Sequence, residues 1–177
     1  FSNFGKLMTS MLETVEIAML GTLLAIFLSI PIGLFSARNI APNYLVYLIA
    51  RTITVFFRAI PEFIMAMILV IAIGFGAMPG VIALGFHTMG FLAKFYAEAI
   101  DGVSRAPIAA LESAGAGPLV RLRYAIWPQM APVVARDTIF RFELNLRESL
   151  ILGIVGAGGI GFDVAEFLAH DADTLPA

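Results

Sequence analysis

The sequence has no cysteine, one tryptophan, two histidines and few charged residues. The absence of cysteine excludes disulfide bonds, thiolate catalysis and cysteine-ligated metal sites. Charged residues make up 14% of the 177 residues, hydrophobic residues make up 60%, and the mean hydropathy is +0.93. Soluble domains have roughly 25% charged and about 45–50% apolar residues, so this composition indicates a membrane protein.

Long uncharged runs predict membrane spans near the start of the chain. Residues 17–37 carry no charged side chain, and a transmembrane helix needs about 20 apolar residues. Ser10 and Glu13 have the spacing of a capping box, which predicts that the first helix begins there. Residues 44–60 mix arginines with bulky apolar residues, which is typical of a segment at the membrane interface, and Pro61 allows a kink after it.

The remaining chain predicts two further spans, a loop and a polar helix. We expect a span over 63–77, a tight turn at Met78-Pro79-Gly80 and a span over 81–96. Helix-breaking glycines and prolines, together with charged residues, indicate that residues 98–130 form a loop with short helices. A polar membrane helix follows this loop. The fold class is therefore all-α and polytopic, with about four spans in a single domain over 1–177.

The distribution of basic residues predicts the orientation. Five of the 11 lie between Lys94 and Arg136, and none follows Arg147. Loops rich in Lys and Arg stay on the cytoplasmic side, so we expect the 98–130 loop inside and the acidic tail outside. Since the chain stops outside, we expect at least one further terminal helix beyond this stretch.

Residues 109–132 read AALESAGAGPLVRLRYAIWPQMAP, with Gly115 and Pro128 13 positions apart. The segment resembles the EAA loop of ABC-importer permeases, with Ala109 where the family usually has glutamate and Ala125 where it has isoleucine. The resemblance implies that a short helix seats in a groove of a cytoplasmic ATPase. Gly115 would close that helix in the left-handed conformation, although glycine and proline also mark ordinary loops. The implied ATPase contacts are Ala109, Ala110, Leu111, Gly115, Ala116 and Pro128.

Three more segments, residues 28–39, 56–63 and 140–161, are similar to the permease subunit of phosphonate importers. This resemblance implies the type I importer fold of the methionine-importer kind, in the bacterial inner membrane. It implies a homodimer of permeases, two ATP-binding subunits and an extracytoplasmic substrate-binding protein. ATP would be bound by the partner, so we expect no cofactor, no metal, no nucleic acid and no enzyme activity in this chain.

The polar helix carries the candidate cargo contacts. At about 100° per residue, Asp137, Arg141, Asn145 and Glu148 form one stripe, and Arg136, Glu143 and Arg147 form a second. Neither should face lipid, since a charge at mid-bilayer costs at least about 2.5–3.5 kcal/mol. Two interpretations are open. Asp137–Arg141 and Glu143–Arg147 are mutually neutralising pairs, or Arg141 or Arg147 receives a phosphonate oxyanion.

Other polar residues give weaker signals. The predicted pathway also includes Asn145, Arg58 and Glu62. Glu62 either caps the helix that follows Pro61 or lines a gate with Arg58. His87 is expected to be a hydrogen-bonded packing residue.

Gly156, Gly158 and Gly161 form a G-x-G-x-x-G. A dinucleotide site needs a strand before such glycines, and the preceding residues indicate the end of a membrane helix instead. We expect the glycines to turn the chain and to let helices approach closely.

The alternatives to a phosphonate permease are a permease for methionine or another small nutrient, an ATP-independent channel or secondary transporter, and a membrane enzyme.

Overall fold

The computed structural model describes residues 2–174 and is all-helical over that range, as the sequence predicts. The elements are α1 (Ser2–Ser36), α2 (Tyr44–Ala59), α3 (Glu62–Ile73), α4 (Ala77–Asp101), α5 (Arg105–Ser113), α6 (Pro118–Arg121), a π-helical turn (Leu122–Ile126), α7 (Trp127–Ile154) and α8 (Gly159–Thr174). By length and composition, three helical segments can cross a membrane, or up to four if one bent pair counts as a span.

The first helix begins earlier than the sequence predicts. α1 starts at Ser2, so the predicted capping box at Ser10 and Glu13 is wrong. The Ser10 hydroxyl lies inside the helix, 3.0 Å from the carbonyl oxygen of Lys6, and also contacts the Asp163 carboxylate. A serine that bonds the carbonyl four residues earlier is accommodated within a helix and does not need to start one.

Small residues hold α1, α2 and α4 close together. Ala25 of α1 and Ala93 of α4 are fully buried. A Cβ added at Gly33 would lie 3.0 Å from the Cβ of Tyr96, and one added at Gly90 would lie 2.8 Å from the backbone nitrogen of Arg58. Membrane helices lack a hydrophobic drive to associate, so close backbone approach at small residues is how they gain packing energy.

The predicted kink at Pro61 is present, and the interfacial position of the segment before it stays a prediction. α2 and α3 meet at a bend of 85°. This bend lies beside the middle of α4, because the Ile60 carbonyl oxygen is 2.9 Å from Nδ1 of His87. α2 buries Ala50 and Thr54, and the Thr54 hydroxyl is 3.3 Å from that of Ser36. These small residues bring α2 into contact with the bundle.

The turn between α3 and α4 is displaced from the predicted Met78-Pro79-Gly80. These residues lie inside the first turn of α4, where proline is tolerated because its missing N–H has no helical partner. The chain turns instead at Gly74 and Gly76, with φ values of 106° and 135°. α3 accordingly ends at Ile73, short of the predicted residue 77.

The glycine cluster makes the corner between α7 and α8. Gly156 and Gly158 have φ values of 94° and 82°, which glycine adopts without steric cost. A Cβ at Gly161 would collide with the carbonyl oxygen of Leu150. A helix precedes the cluster and another follows it, so the predicted turn after the end of a helix is confirmed. The segment predicted as an acidic tail lies largely in helix α8 (Gly159–Thr174).

Candidate functional site

A group of charged side chains surrounds one aromatic ring halfway along the bundle. Phe91 stands near the middle of α4, and Arg141 stands near the middle of α7. The guanidinium carbon of Arg141 lies 3.7 Å from the centroid of the Phe91 ring, and that of Arg58 lies 5.7 Å from it. The ring of His87 is centred 5.2 Å from the same centroid. The structure therefore brings together Arg58 and Arg141, which are far apart in sequence.

Arg141 is buried, with only 4% of its surface exposed. Its Nη1 atom is 3.8 Å from Oε1 of Glu148. Within residues 2–174, no hydrogen-bond partner reaches its Nε and Nη2 atoms or Oε2 of Glu148. Unpaired buried polar groups are rare in native proteins because each costs about 1–3 kcal/mol, and more when charged.

The predicted Asp137–Arg141 pair is not formed. Oδ1 of Asp137 lies 2.8 Å from Nη2 of Arg136. Arg141 points instead toward Glu148, which lies two helical turns further along the same face of α7. The predicted buried stripe itself is present, since Arg141 and Asn145 are both buried. The neighbouring ring of Phe91 explains the direction of Arg141, because a guanidinium stacks favourably on an aromatic face.

The second predicted stripe of α7 is exposed within this chain. Arg147 pairs with Glu143, as predicted, and the two side chains are 69% and 58% exposed. Arg136 is 72% exposed. The structure therefore separates Arg147 from Arg141 and places the two arginines on different faces of α7.

Glu62 and His87 form a second polar contact beside the ring. Oε2 of Glu62 lies 3.3 Å from Nε2 of His87, and the other ring nitrogen of His87 faces the Ile60 carbonyl. The prediction that His87 is a hydrogen-bonded packing residue is confirmed. Glu62 lies in the first turn of α3, where the sequence predicts a favourable carboxylate, but Pro61 occupies the cap position and no side-chain cap hydrogen bond is made. The carboxylate turns to the histidine because that partner lies directly across the bend.

Asn145 joins three helices. Its Oδ1 accepts a hydrogen bond of 2.7 Å from the Thr88 hydroxyl of α4, and its Nδ2 donates one of 2.8 Å to the Thr22 hydroxyl of α1. The asparagine has no exposed surface. This geometry gives Asn145 an interhelical structural role, and its predicted contact with cargo stays a prediction.

A small cavity on the α5 side of the ring is lined by basic side chains. Arg51, Arg58 and Lys94 all border it, together with the hydroxyls of Ser36 and Thr54. Lys94 also pairs with Glu98 at 3.4 Å. The lining of this cavity is therefore positively charged.

The predicted coupling segment has the expected local structure. Ala109, Ala110 and Leu111 lie on α5, and Gly115 follows with a φ of 74°. Ala116 donates its N–H to the Leu111 carbonyl at 2.9 Å, which closes the end of α5. Pro128 lies in the first turn of α7. The segment between the two long helices spans residues 102–126, somewhat shorter than the predicted 98–130.

α5 is attached to the bundle by one side and exposed on the other. Ile108 packs against a buried cluster that includes Ala97, Ile100 and Met130. The neighbouring Ala109 and Ala110 are exposed, and Leu119 is 78% exposed. α5 thus presents an apolar surface at the end of the bundle, and the packing of Ile108 holds the helix in place.

Sequence reasoning missed Phe91 as the ring at the centre and Glu148 as the partner of Arg141. Glu148 was placed on the correct stripe, and its spacing of seven residues from Arg141 was the available signal. Nothing in the sequence alone marked Phe91 among its aromatic neighbours. Among the described residues, no group of three or more histidine or acidic side chains is placed to hold a metal ion.

Comparison with known proteins agrees with this architecture. The phosphite transport system permease protein PtxC of Stutzerimonas stutzeri is 43% identical over 164 residues, covering 93% of this chain and 60% of that protein. The phosphate-import permease protein PhnE of Mycolicibacterium smegmatis is 41% identical over 156 residues, covering 88% of this chain and 29% of that protein. The chain therefore spans 60% and 29% of the lengths of these two relatives, less than two thirds in both cases.

Solved structures share the fold. An inward-facing structure of the MetNI methionine ABC transporter matches with a TM-score of 0.81 at 22% identity, covering 91% of this chain and 79% of that one. An amino acid ABC transporter with histidines matches with a TM-score of 0.79 at 17% identity, covering 95% and 80%. The predicted importer fold of the methionine-importer kind is confirmed. Residues 29–169 match a family described as the binding-protein-dependent transport system inner membrane component, and the chain belongs to that family.

Proposed function

We propose that this chain is the permease subunit of an ATP-driven importer for a phosphorus oxyanion such as phosphite or a phosphonate, and that Arg141 contacts the cargo. The observation that carries the proposal is the buried guanidinium of Arg141, which keeps two donors without an acceptor among residues 2–174. A guanidinium fork matches two oxygens of a tetrahedral oxyanion. Relatives named for phosphite and phosphate transport support the same cargo class.

The charge distribution supports an anion pathway. A cation at mid-membrane is costly unless it is paired or faces a polar pathway. Arg58 and Arg141 both lie against the ring of Phe91, and Arg58 also borders the basic cavity toward α5. Cargo would therefore pass from Arg141 to Arg58 and on toward the α5 end.

The exposed surfaces of the bundle support the proposed partner subunits. The exposed residues of α5 and Leu119 would contact an ATP-binding subunit, which holds the nucleotide, so this chain needs no cofactor of its own. Glu143 and Arg147 are exposed along the middle of α7, where lipid is an unfavourable neighbour for charge. A second permease copy facing this stripe would shield it. The complete importer would thus contain two permeases, two ATP-binding subunits and a substrate-binding protein on the other side of the membrane.

The orientation proposed is α5 on the cytoplasmic side. Arg105, Arg121 and Arg123 lie in or directly after α5 and α6, and short loops rich in arginine and lysine stay in the cytoplasm. The glycine corner between α7 and α8 would then face the side from which the binding protein delivers cargo.

The test is uptake by the reconstituted complex. The complete permease is assembled with its ATP-binding and substrate-binding partners in liposomes, and uptake of phosphite, methylphosphonate, phosphate and methionine is measured with and without ATP. We expect ATP-dependent uptake of at least one phosphorus oxyanion and none of methionine. Uptake of methionine alone would refute the cargo, and equal uptake without the ATP-binding subunit would refute the importer mechanism.

A substitution tests the role of Arg141 in the same assay. Arg141→Lys keeps the charge but removes the planar fork, and we expect uptake at limiting cargo to fall by about tenfold or more. Arg136→Lys is the matched control, because Arg136 lies on the same helix and is exposed. Equal uptake by the two variants would contradict a cargo contact at Arg141.

A further inference from the structure

The two unpaired donors of Arg141 lie on the same edge of its guanidinium. In arginine, Nε–H and one N–H of Nη2 point in parallel along one side of the planar group, whereas Nη1 lies on the other side. Nη1 is the atom that faces Glu148, at 3.8 Å. Nε and Nη2 are the atoms with no partner in the described part of the chain. The edge that can bind two oxygens of one oxyanion side by side is thus the edge that has no hydrogen-bond partner in the described part of the chain.

The unpaired acceptor belongs to the adjacent glutamate. Oε2 of Glu148 is buried and receives no hydrogen bond from the residues that the structure describes. An ionised carboxylate only accepts hydrogen bonds. An anion that offers only bare oxygens would therefore be repelled by Glu148, whereas an anion that carries an O–H group can donate to it.

The total charge of the group favours the same kind of ligand. Arg58 and Arg141 contribute two positive charges around Phe91, and Glu62 and Glu148 contribute two negative ones. The formal charges of these four side chains already cancel. Each additional unit of negative charge has to be accommodated away from water, and this cost rises steeply with charge. A monoanion is therefore accommodated much more easily than a dianion.

We propose that Arg141 and Glu148 together recognise the singly protonated form of the oxyanion, with two oxygens on the Nε and Nη2 edge and the remaining P–OH donated to Oε2 of Glu148. This inference rests on the proposed function and adds a selection rule to it. Sulfate at neutral pH has no O–H to donate, and neither has the phosphodiester of a common lipid headgroup. Both are rejected by the carboxylate that accepts the protonated cargo.

The experiment measures binding to the permease itself, so that the selectivity of the binding protein does not enter. The permease is assembled with its ATP-binding subunits in lipid nanodiscs without nucleotide. Binding of phosphite is followed by broadening of its ³¹P resonance, at a pH below the second ionisation of phosphite. Sulfate and methylphosphonate are the competitors. We expect methylphosphonate to displace phosphite. Sulfate should bind at least about tenfold more weakly, because that factor corresponds to the loss of one hydrogen bond to a buried charge.

The variant Glu148→Gln should abolish the selection. The glutamine amide is uncharged and can donate to a bare oxygen, so sulfate should gain about tenfold relative to phosphite. The absolute affinity for sulfate should itself rise, and a misfolded protein cannot produce that gain. Glu16→Gln changes an exposed glutamate of α1 and should leave the ratio unchanged. The comparison of competitors on the unmodified protein tests the proposal even if Glu148→Gln does not fold.

Two results would overturn the inference. One is equal displacement by sulfate and methylphosphonate on the unmodified protein, and the other is an unchanged ratio in folded Glu148→Gln. If the same protein imports phosphite with ATP in liposomes yet shows no phosphite binding that depends on Glu148 in nanodiscs, the inference fails and the proposed function stands. If no phosphorus oxyanion is imported at all, the proposed function fails first.

Discussion

Replacing Asn145 by leucine removes two hydrogen bonds that join α7 to α1 and α4, with little change in side-chain volume. The bonds measure 2.7 Å to Thr88 and 2.8 Å to Thr22 and are buried. Hydrogen bonds between membrane helices contribute about 0.6 kcal/mol each on average and about 1.7 kcal/mol at most. The Thr22 hydroxyl keeps its own bond to the Ala18 carbonyl, so it is not left unpaired. We therefore expect Asn145→Leu to lower the free energy of unfolding by about 1–3 kcal/mol.

The assay is reversible unfolding of the purified permease in mixed micelles, followed by helical circular dichroism. Ser149→Ala is the matched control, because Ser149 is buried on the same helix but donates only to the Leu146 carbonyl of that helix. We expect this control to change stability by less than about 0.5 kcal/mol.

A double-mutant cycle with Thr88→Val separates the hydrogen bond from other effects of the leucine. The two substitutions should couple by roughly 0.5–1.5 kcal/mol, since the second removes a bond already lost in the first. Strict additivity, within about 0.3 kcal/mol, would show that the two side chains do not interact. The interhelical role assigned to Asn145 would then be wrong.

The remaining predictions concern two glycines, each with a matched glycine in open space. Gly90→Ala places a Cβ 2.8 Å from the backbone nitrogen of Arg58, so α2 must move, and we expect a loss of about 1–3 kcal/mol in unfolding free energy. Gly5→Ala meets nothing within 4 Å and should be neutral or stabilising. Gly115→Ala forces alanine to a φ of 74° and should cost about 1–2 kcal/mol, whereas Gly117→Ala, at a φ of −68°, should not. Equal melting temperatures within either pair would contradict the assigned backbone constraint.

Composition and hydropathy were sufficient for the class of the fold, because the membrane requires helices wherever a long apolar run occurs. They were less informative about helix ends. Ser10 has the residue type of a helix start, but the chain before it is already helical. Glycine and proline were equally ambiguous between Gly74 and Gly80. Only the positive φ of Gly74 and Gly76 identifies which of them turn the chain.

The candidate site was predictable along one helix and unpredictable between helices. Helical periodicity placed Arg141, Asn145 and Glu148 on one face, because that depends only on residues close in sequence. The bend at Pro61 was foreseen, but its depth in the bundle was not. That depth brings Arg58 next to Phe91, and it depends on how closely α2 approaches Gly90, a contact between distant parts of the chain.

The π-helical turn Leu122–Ile126 continues directly into α7, so one continuous helical segment extends from the exposed end of the bundle to its middle. Arg141 lies 14 residues along that segment from Trp127, or about 21 Å at 1.5 Å per residue. A π turn contains one residue more than an α turn needs. If a displacement of α5 removed that residue from the helix and converted the π turn into an α turn, α7 beyond it would rotate about its axis by about 100°, the angle of one helical residue. Such a rotation would move Arg141 away from the ring of Phe91 without bending α7.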